Sequence, residues 1–169
     1  MNKSWAFALC FLICPASYAL VGKPIDAADW VEEDAGAAPV FSSKTLLAVD
    51  MPPYVTLKVG IDPNTIRLGS DGVVRYVVVM VNSTGSVNAA YEGVRCTSAE
   101  VKTYARWTSQ GTWEPVATPS WKDWNSNLPS KHAMAIARQG ACEGGIANRP
   151  SEMVKMLSGK TPRIKNGGI

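Results

Sequence analysis

The strongest constraint on this chain is an unbroken run of strand-forming residues, Val73-Val-Arg-Tyr-Val-Val-Val-Met-Val81, introduced by Asp71-Gly72. β-Branched and aromatic side chains suit a pleated surface, and Asp-Gly ahead of such a run is a strong hairpin signal. A strand with one wet face alternates apolar and polar positions, whereas this run is apolar almost throughout. That is the pattern of a strand covered on both sides, so it belongs at the centre of a sheet.

Neighbouring segments supply its partners. Tyr54-Val-Thr-Leu-Lys-Val-Gly60 alternates as a half-buried strand does. Ile61-Asp-Pro-Asn64 reads as a turn, Thr65-Ile-Arg-Leu68 resumes the strand, and Gly69-Ser-Asp-Gly72 closes tightly onto the central run. Asn82-Ser-Thr-Gly-Ser86 turns the chain into a strand over residues 88–96. A fifth strand spans residues 100–107, with Val101, Thr103, Ala105 and Trp107 assigned to one side. Short turns between consecutive strands require antiparallel pairing. Beyond Thr108, three tryptophans (Trp113, Trp121, Trp124) lie among prolines, which reads as an ordered loop laid over the sheet. Residues 130–139 have helical spacing, with Ser130 as N-cap and Gly140 as stop. Residues 150–157 form a second short helix, begun by Pro150 and ended by Gly159. The expected class is α+β: an antiparallel sheet of about five strands with short C-terminal helices packed at one end.

The first nineteen residues read as an address. Lys3 precedes a ten-residue apolar run ending at Cys14, Pro15 breaks it, and Ser17-Tyr-Ala19 offers small residues two apart. A bilayer span needs about 20 apolar residues, so a cleaved leader is expected, with the cut between Ala19 and Leu20 and no membrane span afterwards. Lipidation at Cys10 or Cys14 is the alternative, but Leu9 and Ile13 occupy the place where a small residue is wanted. The chain is then divided into the leader (1–19), an acidic Ala/Pro-rich extended lead-in (20–53), a single domain (54–158) and a basic tail (159–169).

Cleavage leaves two cysteines, Cys96 and Cys142, and an even pair in an exported domain of this size is expected to form a disulfide. It also leaves sixteen basic against fourteen acidic residues, far from a nucleic-acid-binding balance. The signs are unevenly placed: residues 20–71 carry four basic and eight acidic side chains, residues 72–169 twelve and six. Two readings are open, a pair of oppositely charged faces that attract each other, or a basic surface for an anionic envelope component.

Enzyme signatures are sparse. No nucleophile elbow or phosphate loop is present. A single histidine, His132, and a bridged cysteine pair give no metal or cofactor motif. Paired carboxylates can meet in space without any sequence spacing, so Glu92, Glu100 and Glu114 stand as the candidates for a glycan hydrolase. The most distinctive stretches are Arg75-Tyr76, Tyr91-Glu-Gly-Val-Arg-Cys96 and Tyr104-Ala-Arg-Trp107. Arg75, Tyr91, Arg95, Tyr104, Arg106 and Trp107 are the candidate binding residues, because guanidinium forks beside aromatic rings suit carboxylates, phosphates and glycans. The structural alternative is that the tyrosines complete the core while Arg75 or Arg95 pairs with Glu92 or Glu100.

Asp29-Trp-Val-Glu-Glu-Asp34, Val59-Gly-Ile-Asp-Pro63 with Thr65-Ile66, Asp71 through Val79, and Tyr91 through Cys96 together give the chain a family likeness. With Tyr104-Ala-Arg106, a following tryptophan and a second late cysteine, it resembles the cryptic neisserial protein-like family over roughly residues 29–142. That resemblance implies an exported proteobacterial envelope protein and offers no catalytic residues to carry over. The basic tail after Met153 lies outside it. The expected function is therefore a periplasmic, non-catalytic interaction module for an envelope protein or cell-wall component, with an envelope glycan hydrolase as the alternative.

Overall fold

The computed structural model describes residues 29–126 and 131–159. The proposed cut between Ala19 and Leu20, the Ser130 cap and the basic tail lie outside the described residues. The central run forms β4 (Val73–Val81), and the Asp71-Gly72 turn joins it to the short β3 (Arg67–Leu68) as expected. β5 (Val87–Arg95) and β6 (Glu100–Trp107) follow as antiparallel neighbours. On the other side of β4 lie β2 (Lys58–Ile61) and then β1 (Leu47–Val49). β7 (Trp113–Pro115) and β8 (Lys122–Asp123) both pair with β6.

Among the described residues the sheet thus has eight strands rather than about five. The three that were not expected, β1, β7 and β8, are two or three residues long, too short to show a period in sequence. β1 also begins inside the segment read as lead-in. In the opposite direction, the strand expected over residues 54–60 shrinks to β2, with Tyr54 73% exposed in a turn ahead of it.

α1 (His132–Ile136) runs directly into a π-helical turn (Ala137–Ala141), so Gly140 does not stop the helix but sits inside its last turn. The reason is packing. A Cβ on Gly140 would stand 3.3 Å from the Met153 carbonyl oxygen and 3.1 Å from Leu157 Cγ, both on α2 (Pro150–Leu157). β9 (Cys142–Glu143) and β10 (Ile146–Ala147) form a small hairpin between the helices.

β4 is covered on both sides, as its composition requires. Val74, Tyr76 and Val78 point to the helices, where Ala90, Val94, Ala133, Ile136, Ala137, Met153 and Leu157 complete the core. Val77 and Val79 point the other way, onto Tyr91, Ala105 and the side chains of Ala35, Ala38, Phe41 and Leu46. The second layer is therefore residues 29–46, a strap without helix or strand, laid across the sheet. A β-bulge in β6 decides what each face displays: Tyr91 pairs with Ala105 but Glu92 with Thr103, leaving Tyr104 as the extra residue. Val101 and Thr103 consequently face the helices while Ala105 and Trp107 face the strap, correcting the single-sided reading of that strand.

Candidate functional site

The Cys96–Cys142 disulfide is formed, with Cα atoms 5.6 Å apart. It joins the end of β5 to the start of β9 and so ties the sheet to the helical layer.

Five of the six candidate binding residues gather on the strap face, where the two guanidinium groups and both tyrosine hydroxyls already hold partners within the chain, although the buried Arg75 Nε bonds to none of the described residues. Arg75 is 4% exposed. It forms a bidentate pair with Asp71 (Nη1–Oδ1 3.1 Å, Nη2–Oδ2 2.7 Å) and donates to the Glu33 carbonyl at 2.8 Å. Burial opposes the Arg75 charge, yet the hydrogen bonds and attraction of Asp71 outweigh it and raise its pKa. Tyr91 is buried and its hydroxyl donates to the Ala35 carbonyl at 2.8 Å. Arg95 pairs with Glu100 and lies 4.1 Å over the Trp30 ring. Trp107 packs edge-on against Phe41 and Trp113, at 5.0 and 5.2 Å between ring centroids.

Glu32 is the hub that sequence reading missed. Its carboxylate accepts from Lys102 Nζ at 2.7 Å, Tyr104 Oη at 2.9 Å and Trp121 Nε1 at 3.1 Å. Burial would raise the Glu32 pKa, but those three donors hold it below the usual carboxylate range. Tyr104 is shifted the other way, upward, chiefly by burial. The signal that pointed here was the acidic first third against the basic remainder: two oppositely charged faces attract each other within one chain.

Arg106, the sixth candidate, lies on the helical side of β6. There it borders a cleft of about 300 Å³ also lined by Glu92, Thr103, Ser120, Lys122 and His132. Glu92 is buried, accepting from Thr103 Oγ1 at 3.2 Å and meeting His132 Nε2 at 2.8 Å. Burial disfavours the imidazolium, but the Glu92 carboxylate outweighs it and raises the His132 pKa, with Arg106 working against the shift. Arg106 and Lys122 are exposed at the mouth, and neither makes an ion pair with any described residue.

The three carboxylates considered for glycan cleavage do not converge. Glu92 faces His132, Glu100 is held by Arg95, and Glu114 stands on β7 across the ladder from Arg106. Among the described residues no three His, Cys, Asp or Glu side chains are grouped to hold a metal ion, and no helix is long and apolar enough to cross a membrane.

No curated protein and no solved structure matches the chain. The model of the CNP1-like family matches residues 25–158, which takes in the strap, the sheet, both cysteines and both helices. The family whose wording the sequence resembles is thus the family to which this chain belongs: it is a member of the CNP1-like family, whose function is uncharacterised.

Proposed function

We propose that this protein is an exported, non-catalytic envelope module that holds an anionic envelope component at the Arg106–Lys122 cleft. One observation carries the reading. Arg75, Arg95 and Lys102 each grip a carboxylate of their own chain, while Arg106 and Lys122, at the mouth of the cavity, ion-pair with none of the described residues. A guanidinium fork beside an ammonium recognises carboxylate and phosphate, the fork fixing orientation and the ammonium adding field. Thr103, Thr118 and Ser120 add hydroxyls, and Val101, Val116 and Pro119 supply an apolar wall. The hydrolase reading needs two carboxylates flanking one bond, and among the described residues Glu92 is the one carboxylate lining this cleft, bonded to His132. Export is supported by the leader-like N-terminus and by the disulfide, which persists in oxidising compartments.

The test is co-sedimentation of the mature protein with purified cell-wall sacculi and, separately, with anionic lipid vesicles. Binding in either arm that weakens about tenfold in an Arg106→Ala/Lys122→Ala variant supports the reading, since losing two charge-assisted contacts costs at least that much. Equal binding by variant and wild type, or none in both arms, refutes it. The mass of the protein recovered from the periplasm checks the cut after Ala19.

A further inference from the structure

We infer that the sheet face opposite the helices is a peptide groove, built for an acidic, tryptophan-bearing extended segment and filled in cis by the chain's own residues 29–41. The strap behaves as a bound ligand rather than as part of the sheet. It adds no strand to any ladder, and its attachments are side-chain bonds between residues 37 to 89 positions apart. Eight donors among the body's described residues end on it: Tyr91 Oη on the Ala35 carbonyl, Tyr104 Oη, Trp121 Nε1 and Lys102 Nζ on the Glu32 carboxylate, the Ser70 amide and hydroxyl on the Glu33 carboxylate, Arg75 Nη2 on the Glu33 carbonyl, and Trp113 Nε1 on the Pro39 carbonyl at 3.0 Å.

Charge and ring geometry repeat the complementarity. Glu32 meets Lys102, the Glu33 carbonyl meets Arg75, and the Trp30 ring lies on Arg95 and packs edge-to-face with Trp121, ring centroids 6.0 Å apart. Trp30 Nε1 also donates to the Asp71 carbonyl at 2.9 Å. The outer side of the strap is open, with Val31 79% and Val40 95% exposed. Among the described residues nothing therefore has to move above the strap for it to leave. Asp62 anchors its far end by accepting from the Ser42 amide at 2.7 Å, so the segment can lift while the chain stays tethered at β1. A lifted strap leaves those eight donors without their acceptors and takes the Trp30 ring off Arg95, which keeps Glu100, and the exposed groups match another segment of the same pattern, an aromatic followed by acids.

The experiment uses the mature protein carrying Trp30→Ala and Glu32→Gln, titrated into a fluorescent synthetic peptide of residues 29–41 and read by anisotropy. A strap closed about 99% of the time weakens binding in trans about 100-fold, so the variant should bind the peptide at least tenfold more tightly than wild type. A peptide bearing the same two changes should not bind, and adding Arg95→Ala and Lys102→Ala to the protein should abolish capture. A folded variant that ignores the peptide, or takes both peptides equally, overturns the inference. Should the variant not fold, hydrogen exchange on wild type decides. The Trp113 and Trp121 indole N–H groups, bonded to the strap, exchanging far faster than the β4 and β5 amides support a strap that lifts by itself, and equal protection refutes it.

Discussion

The disulfide gives the sharpest quantitative test of how this fold is held. Cys96 and Cys142 are 46 residues apart, and the loop they close contains β6, β7, β8, α1 and the π turn. In the chain-entropy account, cross-linking a loop of that length removes enough freedom from the unfolded chain to stabilise the fold by about 4 kcal/mol. Domains of this size have about 5–15 kcal/mol in total, so the bridge is a large share. Replacing both cysteines by alanine, Cys96→Ala/Cys142→Ala, should therefore lower the urea midpoint by roughly 2 M at a slope near 2 kcal/mol/M. Reduced wild type should unfold at the same midpoint as the variant. Because the effect acts on the unfolded chain, amide exchange in β4 and β5 should rise as much as exchange in α1. A midpoint shift under about 0.5 M, or faster exchange confined to α1 and the π turn, would refute the loop-entropy account and leave the bridge as a local pin of the helical layer.

Other perturbations follow from single contacts. Gly93→Ala places a Cβ 2.7 Å from Tyr104 Oη and 2.8 Å from Val73 Cγ1. Overpacking of that kind should cost about 1–3 kcal/mol by urea unfolding. Asp62→Ala removes the acceptor of the Ser42 and Asn64 amides from a buried site, and should cost about 1–3 kcal/mol in the same assay. His132 has a folded pKa above its unfolded value of 6.5, so its contribution is complete below that pH and is lost as pH rises through the folded value. The stability gap between wild type and His132→Gln should accordingly be larger at pH 6 than at pH 9, and a gap independent of pH would show that Glu92 does not hold the imidazolium.

How much of this was legible in sequence depends on the range over which each signal acts. β4 could be placed centrally because both of its faces are apolar, and its hairpin partner followed from Asp71-Gly72. α2 was readable at both ends from Pro150 and Gly159. β1, β7 and β8 were not, since two or three residues carry no period. The Arg/aromatic cluster was found as a composition, but which groups faced each other was not. One extra residue at Tyr104 lets Ala105 and Trp107 share the strap face with Tyr91, while Arg106 falls on the opposite side beside His132.

Local chemistry therefore determined the long strands β4, β5 and β6, the turn that starts the sheet, the closing helix and the two cysteines available for a bridge. Only the tertiary structure decided that residues 29–46 lie over the Arg/aromatic face, that Glu32 is its hub, and that Glu92 and His132 meet beneath Arg106. The physical reason is distance along the chain. Backbone propensity and periodicity act over a few residues, whereas these bonds join groups 40 to 89 positions apart and exist only once the sheet has set both ends in place.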